Sequence, residues 1–163
     1  MTDAYIVGVD MIKFGRFPDK TVPQIGAQAA LMALDDCGLT IQDMQALYCG
    51  NLGQASGMVG QRMLQEIGQT GMPVVNVSNA CATGATAFRE AWASVKAGLY
   101  DCVLAVGVEQ MGKGLLSAVL VPKTAFRKKA YWVPVPCLQF LPKPAWSTRA
   151  NTERLSSSSL RCR

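Results

Sequence analysis

Four short apolar runs, separated by turn residues and by segments of helical period, constrain this chain more than any other feature. Ala4–Val9 (AYIVGV), Ala46–Cys49, Pro73–Ser78 (PVVNVS) and Cys102–Val108 (CVLAVGV) read as strands. Between the first two, Thr21-x-x-Gln24 forms a capping box with Pro23 inside the first turn, and the helix it opens closes at Cys37-Gly38. A glycine-rich loop follows the second strand and leads into a short helix over Val59–Ile67. After the third strand, Ala82–Ala97 places Ala85, Phe88, Trp92 and Val95 on one helical face, with Gly98 as its stop. Strand–helix alternation with strands apolar on both faces predicts an α/β fold, a mostly parallel sheet covered by helices.

Composition sets the outer limits. The 163 residues are 50% hydrophobic and 17% charged, enough for one domain of about 150 residues with a buried core and too apolar for a disordered chain. The longest uncharged stretch, Ile67–Phe88, is interrupted by Gln69, Asn76, Ser78 and Asn79. It therefore reads as protein interior, with no transmembrane segment. The N-terminal MTDAYIVGVD has no basic segment ahead of an apolar run, so no secretory signal is expected. Six Cys at 37, 49, 81, 102, 137 and 162 form no CxxC pair, and there is no His. That excludes a clustered zinc site and every mechanism that takes a His from within these residues.

The net charge of +5 hides a division near Leu116. Residues 1–116 carry 7 basic and 10 acidic side chains, whereas residues 117–163 carry 9 basic and only Glu153. All 15 Gly fall at or before Gly114, and five of the eight Pro lie after it. The expected organisation is a folded part over 1–116 and a basic, Pro/Ser-rich tail over 117–163, irregular or disordered. In AYWVPVPCLQFLPKPAW the prolines at 134, 136, 142 and 144 remove ladder donors, which argues against an internal strand. RLSSSSLRCR is a low-complexity polar end.

The chemistry concentrates in Pro73-Val-Val-Asn-Val-Ser-Asn-Ala-Cys-Ala-Thr-Gly84. A buried strand ends, a tight turn follows, and Cys81 arrives at the opening of a helix. The positive end of a helix dipole and its unpaired N–H groups favour a thiolate there, which suits a nucleophile. Ala80, Ala82, Thr83 and Gly84 are small enough to let an acyl chain or another backbone approach the sulfur. A structural role remains the competing reading, because free Cys is among the most buried residue types. Cys37, Cys49 and Cys102 fall inside helix or strand and read as core residues.

Other motifs point nowhere specific. Gly8, Gly50, Gly53, Gly57 and Gly60 do not form GxGxxG after the first strand, and Gly112-Lys113-Gly114 lacks the spacing of a phosphate-binding loop. Arg127-Lys128-Lys129 is a basic cluster suited to anionic lipid or nucleic acid, but a solvated charge run is its ordinary role, and no nucleic-acid partner is expected.

Residues from about 4 to 116 resemble the N-terminal part of thiolases, specifically the sterol-carrier-protein (lipid-transfer-protein) type. VGVDMIKFGR opens the match, Gly60-Gln61-Arg62 precedes the short helix, NVSNACATG holds the position of the family's nucleophilic Cys, here Cys81, and VLAVGVEQMGKG follows the next strand. The resemblance implies a thiolase-like N-terminal half, incomplete, and acyl transfer between 3-oxoacyl-CoA and acetyl-CoA through a covalent acyl-cysteine. Coenzyme A thioesters are then the substrates, with no bound cofactor and a homo-oligomer or association with a thiolase-like partner. It also implies a His that activates the Cys and a second Cys in a Cys-x-Gly motif, and neither occurs here. The expectation is a truncated or frameshifted product, inactive alone, in a cytoplasmic setting. A non-catalytic module pairing with a full-length relative is the alternative.

Overall fold

In the computed structural model, residues 3–111 are described in full and residues 137–142 through their backbone. Strand β1 spans Ala4–Asp10, helix α1 Val22–Cys37, strand β2 Ala46–Gly50, helix α2 Val59–Ile67, strand β3 Val74–Val77, helix α3 Thr83–Lys96, strand β4 Val103–Gly107 and strand β5 Cys137–Pro142. Single 3-10 turns at Ile41–Asp43 and Ala55–Gly57 lie on either side of β2. The sheet order is β1-β5-β4-β2-β3. β2 runs parallel to β3 and β4, and β5 runs antiparallel to β1 and β4. All four strands from β1 to β4 therefore point the same way, and their C-terminal ends share one edge of the sheet. The α/β architecture expected from the alternation is the observed one.

Strand periodicity divides the core into two layers. Leu47 and Cys49 of β2 and Leu104 and Val106 of β4 face α1 and α2, where they meet Ile25, Ala30, Leu34, Val59 and Met63. The alternate residues Ala46, Tyr48, Val103 and Ala105 face α3 and meet Ala87, Ala91 and Val95. Helices on both faces explain why β2 and β4 read as unbroken apolar runs.

The caps of α1 are those expected from its sequence. Thr21 N–H donates to Gln24 Oε1 at 2.9 Å, and Gln24 N–H donates back to Thr21 Oγ1 at 3.4 Å. Gly38 ends the helix in the left-handed region at φ 67°, and Leu39 N–H returns to Leu34 O at 3.0 Å.

Helix α2 is capped from a distance. Its N-cap residue, Met58, sits at φ 49° and supplies no side-chain bond. Asn76 of β3 does so instead: its Oδ1 accepts from Gly60 N–H at 2.8 Å, and its Nδ2 donates to Gln61 Oε1 at 2.7 Å. Gly60 is required at that contact, since a Cβ there would stand 2.5 Å from Val74 Cγ1. Gly60-Gln61-Arg62 thus lies inside the first turn of α2, and not ahead of the helix.

Two further expectations are corrected. On α3, the buried residues are Thr83, Ala87, Ala91, Ser94 and Val95, whereas Ala85 is exposed and Trp92 is 43% exposed. Val95 is buried as expected and Phe88 packs half-buried against the same layer, so the correction concerns Ala85 and Trp92, whose places are taken by Ala87 and Ala91. The prolines of the tail also do not prevent an internal strand, because β5 lies between β1 and β4. Pro134, Pro136 and Pro144 fall outside it, and Pro142 occupies its last position, opposite Ala4. The five residues before it are free of Pro and supply the ladder. The boundary at Leu116, the Arg127-Lys128-Lys129 cluster and the RLSSSSLRCR end lie outside the described residues.

Replacing Asn76 by Ala is expected to cost about 1 kcal/mol of stability, the usual worth of an N-cap. Asn76→Asp, which keeps the acceptor at a helix N-terminus, is expected to lose less. Urea denaturation reads both as a lowered midpoint with an unchanged slope.

Candidate active site

Cys81 follows β3 at the edge where the parallel strands end, the side of an α/β sheet at which ligand sites form. After Val77 the chain leaves the sheet and reverses through Asn79-Ala80-Cys81. Ala80 lies at φ 46°, and an isolated parallel bridge joins Asn79 to Cys81. A left-handed conformation costs a non-glycine residue about 1–2 kcal/mol. The turn offsets that cost with its own hydrogen bonds. Ala82 N–H donates to Asn79 O at 2.9 Å, and Thr83 N–H to Ala80 O at 3.3 Å. The Thr83 hydroxyl accepts from Asn79 N–H at 2.7 Å and donates to Ala80 O at 2.7 Å. Asn79 Nδ2 adds a bond to Thr86 Oγ1 at 3.0 Å.

A strand, a strained turn and a helix in succession lift one side chain above the sheet edge. Cys81 occupies that place, two positions ahead of Thr83, the first residue of α3. It is an exposed free thiol. The other described cysteines contrast with it, in keeping with their expected core role. Cys49 and Cys102 are fully buried, with sulfurs 3.7 Å from Met63 Sδ and 3.8 Å from Met44 Sδ respectively. Cys37 is half-buried, and its Sγ donates to Leu34 O at 3.2 Å. Burial pushes the Cys37 thiol up, against the backbone N–H of Leu39, and pushes the Cys49 thiol from 9.0 to about 12.

The floor of the site is the C-terminal end of β2. A Cβ on Gly50 would lie 2.8 Å from Thr83 O, so the first turn of α3 rests directly on this glycine. Gly50 O accepts from Val108 N–H at 3.0 Å. Asn51, only 4% exposed, donates its N–H to Val77 O at 3.2 Å and its Nδ2 to Val108 O at 2.8 Å. Its Oδ1 accepts from Gln54 N–H at 2.6 Å. Glu109 Oε2 accepts from Leu52 N–H at 2.9 Å and Gly53 N–H at 2.8 Å. The sequence singled out Cys81 but neither Asn51 nor Glu109. Their only advance signal was a polar residue directly after each apolar strand. Among the described residues, no group of three or more Cys, Asp or Glu converges as a metal site, and no helix is long and apolar enough to cross a membrane.

Comparisons with known proteins give the family of the chain. The family model described as "Thiolase, N-terminal domain" matches residues 4–128, and the chain belongs to that family. It is 39% identical over 121 residues to the non-specific lipid-transfer protein-like 2 of Caenorhabditis elegans, covering 72% of this chain and 29% of that one. It is 37% identical over 123 residues to sterol carrier protein 2 of Gallus gallus, covering 74% and 22%. It is 34% identical over 116 residues to an acetyl-CoA acetyltransferase of Methanothermobacter thermautotrophicus, covering 68% and 30%. The chain thus spans less than a third of the length of these relatives. The fold of the Acat5 thiolase from Ascaris suum, solved in complex with coenzyme A, is similar at a TM-score of 0.59, with 17% identity over 82% of this chain and 36% of that one.

Cys49 supplies a pH test of this packing. In the folded chain it keeps its proton up to about pH 12, whereas an unfolded thiol releases it near pH 9. Between those values the folded state binds more protons, so stability falls as pH rises, by up to about 1.4 kcal/mol per unit from this group. Cys49→Ala is expected to flatten that part of the stability–pH curve in denaturant titrations. Alkylation of the native chain at pH 8 is expected to label Cys81 and spare Cys49.

Proposed function

We propose that this chain carries the nucleophile of a thiolase-type acyl-transfer site, with Cys81 as the attacking group and a coenzyme A thioester as substrate. One observation carries the reading: within a thiolase N-terminal domain, the exposed free thiol sits on a strained turn between a parallel strand and a helix. In the step this permits, the Cys81 sulfur adds to the thioester carbonyl after its proton passes to solvent base. The tetrahedral adduct then expels the coenzyme A thiolate, which takes up a proton. The products are an acyl-cysteine and free coenzyme A. With a 3-oxoacyl-CoA, the same sulfur, its proton again passed to solvent base, adds to the 3-keto carbon. The carbon–carbon bond breaks, and the acetyl-CoA carbanion takes a proton from solvent and leaves as acetyl-CoA. The coenzyme A thiol then takes the acyl group and frees the Cys81 thiol. Similarity to sterol carrier protein 2 and to an acetyl-CoA acetyltransferase supports a lipid-derived acyl group.

Within these 163 residues no His is present to take the thiol proton. A positioned acid–base group is worth about 10²–10⁴ in rate, so the chain by itself is expected to acylate slowly and to turn over acetoacetyl-CoA at a negligible rate. Mass spectrometry after incubation with acetyl-CoA is expected to show one adduct, on the peptide containing Cys81, and none in Cys81→Ser. Equal labelling of several cysteines would sink the reading.

A second reading, association with a further copy or with a longer thiolase-like partner, is favoured by the flank of α3. Ile6 and Trp92 are about half exposed and, with Ala4, Phe88 and Arg89, line a shallow groove of about 350 Å³. Exposed apolar surface of this kind marks interaction sites. Sedimentation at micromolar concentration is expected to show association that Trp92→Lys weakens, and a monomer throughout would rule it out.

A further inference from the structure

We propose that Asn51 is the positioning residue of the Cys81 turn, braced by Glu109. The inference rests on the acyl-transfer reading and says what holds its nucleophile in place. β3 has four residues and, among the described residues, a single neighbour, β2. Past Val77 no ladder guides the chain toward Cys81. The last bond from this arm to the neighbouring β2 arm is the one from Asn51 N–H to Val77 O at 3.2 Å, and the bonds of Asn79 beyond it stay within the turn and α3. On the other arm, Thr83 O rests over Gly50, the residue immediately before Asn51. The dipeptide Gly50-Asn51 therefore touches the chain on both sides of Cys81, and any shift of it moves the thiol.

The side chain of Asn51 fixes that dipeptide. Its amide donates to Val108 O and accepts from Gln54 N–H, closing a turn of the kind Asn favours. Asn51 is almost wholly buried, so loss of the amide leaves the buried Val108 carbonyl without this donor. Glu109 holds the same turn from the far side through the Leu52 and Gly53 N–H groups. Consecutive backbone N–H groups around a carboxylate form an anion nest, here filled by the chain's own side chain. Neither residue touches the sulfur, and both act through the backbone that carries it.

The test uses the full chain in six forms: wild type, Asn51→Ala, Asn51→Asp, Glu109→Ala, Glu109→Gln and Asn76→Ala. Asn76→Ala is the control, weakening α2 without touching the turn. Two quantities are read. The first is amide hydrogen exchange over residues 78–84. The second is the rate of Cys81 acetylation by acetyl-CoA divided by its rate of alkylation by iodoacetamide, a ratio that exposure alone does not move. Asn51→Ala is expected to raise exchange at Ala82 and Thr83 and to lower the ratio by about tenfold, since small misplacements of a reacting group carry penalties of that order or more. Glu109→Gln, whose amide oxygen still accepts both N–H groups, is expected to stay near wild type, with Glu109→Ala in between. If Asn51→Ala does not fold, Asn51→Asp, which keeps the acceptor and loses the donor, decides in its place. Exchange and ratio no different from those of Asn76→Ala would overturn the proposal. Wild-type acetylation with an unchanged ratio in the Asn51 variants would overturn positioning and leave acyl transfer standing. No acetylation in any form, with exchange still raised at 78–84, would support Asn51 as the holder of the turn and sink the acyl-transfer reading.

Discussion

At the C-terminal end of β2, a residue with no side chain, Gly50, is followed by a polar one that is almost wholly buried, Asn51. The carbonyl of Thr83 packs where a Gly50 Cβ would be, so α3 begins against the backbone of β2 itself. Asn51 then bonds to β3 through its N–H and to the residue after β4 through its amide. Three strands and one helix are registered against each other at this pair. The strain at Ala80 is tolerable because both arms of its turn are held here, and a strained residue persists only where its surroundings over-determine it.

The two faces of the sheet are packed with different side chains. Toward α1 and α2 the strands present Leu47, Leu104 and Val106, and the helices answer with Ile25, Leu34, Met63 and Leu64. Toward α3 the contact combines the small Ala46, Ala105, Ala87 and Ala91 with Tyr48, Val103 and Val95. Close approach on that face aligns the start of α3 with the strand ends, which the placement of Cys81 requires. Trp92 stays 43% exposed, while Phe88 packs half-buried against that layer. The same geometry separates the cysteines by chemistry. Cys49, in the middle of β2, is held as a thiol by burial, whereas Cys81, beyond the end of β3, is open to a reagent.

Terms acting over a few residues were legible in advance. Apolar runs bounded by turns located β1 to β4, the capping box and Gly38 delimited α1, and the motif around Cys81 pointed to a nucleophile and to a thiolase relationship. The strands and the bounds of α1 survive in the structure nearly residue for residue, and the relationship is supported by the family match over residues 4–128. Errors arose where a local rule met a distant partner. A helical wheel for α3 places Ala85, Phe88, Trp92 and Val95 inward, and the structure buries Val95 and half-buries Phe88 but leaves Ala85 and Trp92 exposed. Counting prolines in the tail argued against a strand, yet the slot between β1 and β4 needs only the Pro-free run that begins at Cys137.

By itself the sequence determined β1 to β4 and the three helices, the caps of α1, the class of fold and the turn that bears Cys81, because each follows from dihedral preferences and from periodicity within one segment. The strand order, the insertion of β5, the capping of α2 by Asn76 across 16 residues and the bond from Asn51 to Val108 across 57 belong to the tertiary structure alone. In each, a polar group or a strand edge left unsatisfied by its own segment is satisfied by a partner that only folding brings within hydrogen-bonding distance.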